Sequence, residues 1–500
     1  MPTIDARTLA MNGSREADTA GTLRVSGVTP KGRVRFGATR DSGTPVRIDN
    51  VEPDDIVRVE YANGFVEWMR ADDLYQTYPA GVQRGDSGVD AATLRIDPYA
   101  GGASDERGVL GATISVLEFF GFDPVGKAAE DIGAEIENRR IGVQGTCVKR
   151  CSLDDQFSLT DLADGIPAST DPILIFVHGT FSSTAGTFGD LWDKETSPDG
   201  AALRRALRQK FGDRVYALEH RSLTESPVSN ALALLRKLPK AARLSLVTHS
   251  RGGLVGDLLA LGSRARDAMK DPLNAEVLAM LCKGSQATGD DALGSQKLGD
   301  EARYAQLQDD LLELVELLAD RSPQIERFVR VASPSLGTTL ASGRLDRWLS
   351  LLSWLGGRCN VPLLGDALDF VLAVVKARTD PRDLPGLEAM MPGSAVTSLV
   401  NLPTLEVSAD LTIIAGDLEP GSSWAKAGNF VLDRFFGGAH DLVVNTASMY
   451  GGSRRPAGNA RAVLDRGTEV NHFRYFSNEK ACGSSLRRLS RAVRRWDFSR

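Results

Sequence analysis

Cysteine and histidine are both scarce in this 500-residue chain, at five copies each. Cys147, Cys151, Cys282, Cys359 and Cys482 are too few and too scattered for a disulfide framework, which points to a reducing compartment. Only Cys147 and Cys151, in CVKRC, are near neighbours, and no second Cys/His pair at finger-like spacing accompanies them, so no metal is expected. Uncharged apolar runs never reach about eighteen residues, which excludes a membrane-spanning helix as an expectation. The first residues, MPTIDARTLAMNGSREADTAG, lack the basic start and apolar core of a secretory signal, and a cytoplasmic protein is expected. No charge dominates either. With 59 basic and 65 acidic residues the formal charge is -6, which offers no electrostatic footprint for nucleic acid.

What is present belongs to an ordinary globular protein, 42% hydrophobic and 25% charged. The length predicts two or three domains at roughly 100 to 200 residues each. Residues 22–80 read as β: TLRVSGV, GRVRFGA, PVRIDNV, DIVRVEYA and GFVEWMRA alternate apolar and polar residues between Gly, Pro, Asp and Asn breaks, and ANG at 62–64 is a hairpin signal. Composition then shifts to Gly, Asp, Ser and Ala, so residues 1–110 are expected to form a small β-rich module and linker. This module is also a candidate for recruiting a protein partner. Residues 111–170 are expected to be a helical or irregular connector, with 112–139 helical and broken at Asp123-Pro124. Phe119, Phe120 and Phe122 in it are candidates for peripheral membrane contact, the alternative being packing against the large domain.

From residue 171 onward, short apolar runs alternate with helical segments. ILIFVH (173–178), RVYALEH (214–220), LSLVTH (244–249), FVRVASP (328–334) and LTIIAGD (411–417) are apolar enough to be strands covered on both faces. AALRRALRQKF and NALALLRKLPKAA between them carry helical spacing, which predicts an α/β fold with a doubly wound, mostly parallel sheet over 171–500. Helical cap or lid insertions are expected at about 263–325 and 340–400. In the second, Trp348, Leu349, Leu352, Trp354 and Leu355 suit either an acyl-chain pocket or a buried cap helix.

The chemistry centres on Thr248-His249-Ser250-Arg251-Gly252, where a buried strand runs straight into a helix. A serine hydroxyl is a poor nucleophile unless a base takes its proton, and it must stand clear of the backbone for a carbonyl carbon to reach it. The nucleophile elbow G-x-S-x-G meets both needs, although Thr248 stands at its first glycine position. FVHGTFSST at 176–184 supplies the other requirement, a strand ending in His-Gly whose next N–H faces the sheet's carboxyl edge. The backbone N–H groups of Thr180 and Arg251 are therefore the expected oxyanion donors, and His178 is read as holding the loop. Chain order Ser, acid, His leaves only His440 and His472 as bases. His472 follows both candidate acids, Asp417 and Asp441, so it is preferred.

These segments, together with VASPSLGT (331–338), MPGSAVTSLVN (391–401), HDLVVNTASM (440–449) and the late VNHF, resemble the lipase/esterase branch of the α/β-hydrolase superfamily. More narrowly, they look like bacterial hydrolases related to triacylglycerol lipases and PGAP-type inositol deacylases. The resemblance covers roughly residues 140–480. It implies a Ser-Asp-His triad, ester or acyl-transfer chemistry, a lid and no organic cofactor, and its D-x-V-V acid loop maps onto Asp441. Position directly after a strand favours Asp417 instead. The expectation is a serine hydrolase acting on lipid or acyl esters with Ser250, His472 and Asp441, Asp417 being the alternative acid. Peptidase, amidase or thioesterase chemistry on the same residues, or a non-catalytic interaction protein of the same fold, stands beside it.

Overall fold

The computed structural model describes residues 7–16, 28–37, 46–62, 65–78, 93–96, 114–122, 129–192, 198–262, 264–265, 297–338, 349–350, 371–375, 384–403, 405–419, 438–467, 470–473 and 475–476. Two compact units divide the chain: Met1–Ile136 with Gly343–Asp380 and Gly421–Gly437, and Glu137–Ser342 with Pro381–Pro420 and Gly438–Arg500. The segment 343–380, which lies within the second expected insertion, falls in the first of these units.

The first unit holds two sheets. Strands β1 (Arg7–Met11), β4 (Val46–Val51) and β7 (Thr93–Ile96) form one, in the order β4-β1-β7; β2 (Ser14–Glu16), β3 (Val28–Arg35), β5 (Ile56–Tyr61), β6 (Val66–Arg70) and β8 (Ile114–Phe122) form the other, in the order β2-β3-β8-β5-β6. Two expectations are corrected here. The stretch read as linker contributes β7, parallel to β1. The stretch read as helix begins with β8, antiparallel to both β3 and β5. A run such as ISVLEFFGF has no periodicity that separates helix from strand, and flanking partners on both sides decide for strand. Glu118, the charge that interrupts the run, accepts from Arg33 of β3 at 2.8 Å and Arg58 of β5 at 2.9 Å. Phe119 and Phe120 are buried in this unit; the side chain of Phe122 lies outside the described residues. The strand ends just before Asp123-Pro124, and a helix follows at Ala129–Ile141.

The second unit is built on one eight-stranded sheet. Its strands are β9 (Cys147–Cys151), β10 (Leu159–Asp161), β11 (Ile173–Val177), β12 (Val215–Glu219), β13 (Arg243–His249), β14 (Gln324–Val331), β15 (Asp410–Leu418) and β16 (Ala460–Gly467), in the order β10-β9-β12-β11-β13-β14-β15-β16. The six from β12 to β16 are parallel, while β9 runs antiparallel to β12 and β10 antiparallel to β9. Every residue of β11 and β12 is buried, as expected of central strands covered on both faces. Helices Pro198–Phe211, Pro227–Lys237 and Gly252–Ala260 connect the parallel strands. The last is buried all round, which its sequence GGLVGDLLA permits because only Asp257 is polar. Asp257 meets Arg330 of β14 in a fully buried ion pair. No described helix is long and apolar enough to cross a membrane.

Candidate active site

Winding reverses at β11, whose neighbours are β12 on one side and β13 on the other. Open α/β sheets hold ligands at the carboxyl ends of strands beside such a switch point. Two loops meet that description here: His178-Gly179-Thr180 after β11, and Ser250 after β13.

Ser250 has φ 52°, a left-handed conformation uncommon for a residue with a side chain. Its N–H donates to the Val331 carbonyl at 2.8 Å, and its own carbonyl accepts from Gly253 N–H at 2.9 Å, so the turn is tied to β14 and to the helix it starts. Gly252 is needed for close approach: a Cβ there would lie 2.4 Å from the His178 carbonyl oxygen. Thr248, the departure from the elbow pattern, is accommodated from the helix side. A Cβ at Gly256 would lie 3.2 Å from its methyl and 2.5 Å from the Phe328 ring, so a glycine one turn into the helix provides the clearance.

The N–H groups of Thr180 and Arg251, expected as oxyanion donors, have no acceptor among the described residues. Each is held from behind. The Thr180 hydroxyl contacts Met390 Sδ at 3.4 Å, and the next residue, Phe181, donates its N–H to the Ser222 hydroxyl at 3.0 Å. Glu137 in turn accepts from the N–H groups of Ser222, Leu223 and Thr224. His178 accepts from His220 N–H at 3.2 Å and donates to the Gly179 carbonyl at 2.9 Å; burial lowers its pKa, so it is a neutral loop-holder. The Arg251 side chain is fully buried, donating to the Gly386 carbonyl at 3.0 Å, Asn230 Oδ1 at 2.9 Å and the Glu225 carbonyl. Burial pulls its pKa down to about 10 against the opposing charges of Glu137 and Glu225. Arg251, whose N–H was expected as an oxyanion donor, is thereby anchored by its side chain to two separate segments, Glu225–Asn230 and the one holding Gly386. A large cation amid small elbow residues was the only sequence sign of it.

His472 Nδ1 donates to Asp441 Oδ2 at 2.9 Å, and His472 N–H donates to the Asp441 carbonyl at 2.8 Å. Asp441 is fully buried in a tight turn with Leu442 at φ 82°; its Oδ1 accepts from the N–H groups of Val443 at 3.1 Å and Val444 at 2.9 Å. Burial works to raise its pKa. The His472 charge and these hydrogen bonds outweigh burial, and the net shift is downward, so the carboxylate is ionised. With Nδ1–H committed to Asp441, Nε2 of His472 keeps a lone pair. Neither Nε2 nor the Ser250 hydroxyl has a hydrogen-bond partner among the described residues. The link between them is His249, the residue before Ser250, whose Nε2–H donates to the His472 carbonyl at 3.0 Å with ring centroids 4.8 Å apart. Burial, reinforced by His472, lowers its pKa to about 3.

Asp417 is elsewhere engaged, accepting from Arg466 Nε at 2.7 Å across the β15–β16 pair. His440 accepts from Leu442 N–H at 3.1 Å within the acid turn. Trp348, Leu352 and Trp354 lie outside the described residues. Cys147 and Cys151 sit on β9, the latter buried with its thiol pushed up to about 12, and no His/Cys/Asp/Glu cluster among the described residues could hold a metal ion.

The family described as a domain of unknown function, DUF7379, matches residues 143–291 and 302–490. No curated protein matches the chain. Solved structures to which it is similar include the mature form of the Bacillus licheniformis lipase BlEst2, at 15% identity over 65% of this chain and 94% of that one, TM-score 0.28. Lipase 1 from Pelosinus fermentans is similar at 14% identity over 66% and 100%, TM-score 0.37, and a bromoperoxidase from Bacillus anthracis at 12% over 69% and 100%, TM-score 0.28. These likenesses are too remote to carry a function across.

Proposed function

We propose that this chain, which belongs to the DUF7379 domain family, is a serine hydrolase of the α/β-hydrolase type that cleaves carboxylic esters, lipid or acyl esters foremost. The observation that carries the reading is a buried, ionised Asp441 bonded to His472 Nδ1, one residue's contact away from a serine held in a left-handed turn. Ser250 Oγ attacks the ester carbonyl while His472 Nε2 takes its proton, and the resulting imidazolium is stabilised by Asp441. The carbonyl oxygen, now carrying the negative charge, receives the N–H groups of Thr180 and Arg251. His472 returns the proton to the departing alcohol, leaving an acyl group on Ser250. Water, deprotonated by the same imidazole, then releases the acid and restores the serine. The role of Trp348, Leu352 and Trp354 in an acyl pocket belongs to this proposal on the apolar pattern of their segment alone.

The test pairs a fluorophosphonate probe with an ester panel from acetyl to long-chain acyl groups, phospholipids included. Wild-type protein should be labelled and turn over at least one ester; Ser250→Ala should lose the label and at least about 10³-fold in turnover with its circular dichroism unchanged. Turnover of Ser250→Ala within about tenfold of wild type would sink the mechanism.

A further inference from the structure

We propose that Tyr475 is a positioning residue that sets the basicity of His472 by sharing the Asp441 carboxylate, an inference that rests on the triad reading above. The phenol donates to Asp441 Oδ2 at 2.9 Å, the same oxygen that accepts His472 Nδ1–H at 2.9 Å. Oδ1 is occupied by two backbone N–H groups, so four donors divide one negative charge. What one donor draws is lost to the others, and the imidazolium is less stabilised than by an undivided carboxylate. Tyr475 thus keeps His472 unprotonated, and the site working, to lower pH.

Space for the phenol comes from β15. A Cβ at Gly416 would lie 1.8 Å from the Tyr475 hydroxyl, so the glycine immediately before Asp417 clears the volume in which the hydroxyl reaches Asp441. The charged and titratable groups around the pair come from several elements. At the end of β13, His249 is neutral above about 3, and fully buried Arg251 follows it in the elbow. After β11, His178 is held below its ordinary value by burial. His440 is bonded within the acid turn, and Asp417 is paired with Arg466 at the end of β15. His178 and His249, at the ends of β11 and β13, are thus both shifted down.

The decisive measurement does not need turnover. The His472 imidazole is titrated by NMR in the Ser250→Ala background, its Cε1–H resonance identified by loss in His472→Gln, with and without Tyr475→Phe. Removing the phenol should raise the His472 pKa by about 0.5 to 1 unit, since a hydrogen bond to a carboxylate is worth about one unit and part of it passes to the imidazole. Replacing tyrosine throughout by 3-fluorotyrosine, isosteric and a stronger donor, should move it the opposite way, and this arm stands if Tyr475→Phe fails to fold. In otherwise wild-type protein the acid limb of kcat/KM should follow the same shifts. A His472 pKa unchanged within about 0.2 unit in folded protein overturns the inference and makes Tyr475 a packing residue. Failure of the fluorophosphonate label, with the NMR shift present, overturns the hydrolase reading and not the coupling.

Discussion

Asp417 and Asp441 stand at either end of one connection, the first near the end of β15 and the second in the turn that begins the return to β16, and both are buried beside a basic partner. Their company differs in kind. Asp417 faces the guanidinium of Arg466, 57% exposed, and a guanidinium does not serve as a base. Asp441 faces an imidazole, a side chain that can act as a base, and is itself fully buried. An acid at a strand end can serve as a cross-strand clamp. The acid that can orient a base is the one whose remaining lone pairs are already filled by N–H and O–H groups, because those donors fix the carboxylate plane.

The sharpest way to break this contrast is to neutralise each acid in turn. Asp441→Asn should lower ester turnover by about 10⁴ through loss of the Nδ1–H tautomer, while Asp417→Asn should change it by less than about tenfold. Both proteins are compared by turnover with folding checked by circular dichroism. A crippled Asp417→Asn beside an active Asp441→Asn would reverse the assignment.

Acid titration of stability probes the company of Asp441 rather than its charge. His249 has its folded pKa lowered from 6.5 to about 3, so the unfolded chain binds the extra proton between those values. The stability it contributes is fully present above 6.5 and is lost as pH falls through the window, at about 1.4 kcal/mol per pH unit. Asp441, lowered from 3.8, adds a loss of the same sign below that value. Denaturant melts of His249→Gln should therefore show a shallower decline between pH 6 and 4 than wild type. Parallel curves would mean that His249 takes up its proton without opening the site.

The smallest effect belongs to the partner of Asp417. Arg466→Ala removes an ion pair with one largely exposed member and should cost about 0 to 1 kcal/mol in denaturant melts, with turnover within about threefold. A loss of turnover approaching that of Asp441→Asn would place the β15–β16 clamp inside the mechanism and erase the distinction.

The parallel strands β11 to β15 are legible because each is a short apolar run covered on both faces, a demand that leaves almost no freedom in side-chain type. Edge elements are not. CVKRC and LTD, now β9 and β10, and ARAVLDRG, now β16 with five of eight residues exposed, are held by backbone hydrogen bonds to a neighbour, which any side chain allows. The reading of 112–139 as helix failed for a related reason. ISVLEFFGF satisfies helix or strand locally, and β3 and β5, about sixty to ninety residues earlier in the chain, settle the matter through the ladder and through Arg33 and Arg58 on Glu118.

By itself, the sequence determined the elbow. Strand, serine and small residues are contiguous in LSLVTHSRGGLVG, and a left-handed serine between a strand and a helix needs only local chemistry. It also narrowed the base to two histidines and the acid to two aspartates. Only the tertiary structure decided which aspartate meets His472, since that contact joins residues 31 apart and depends on a turn at Leu442 that no pattern announces. The same holds for the three anchors of Arg251 and for the place Gly416 clears for Tyr475. Backbone geometry is governed by neighbours along the chain, whereas the sharing of a buried charge is governed by whichever donors the folded core brings within about 3 Å.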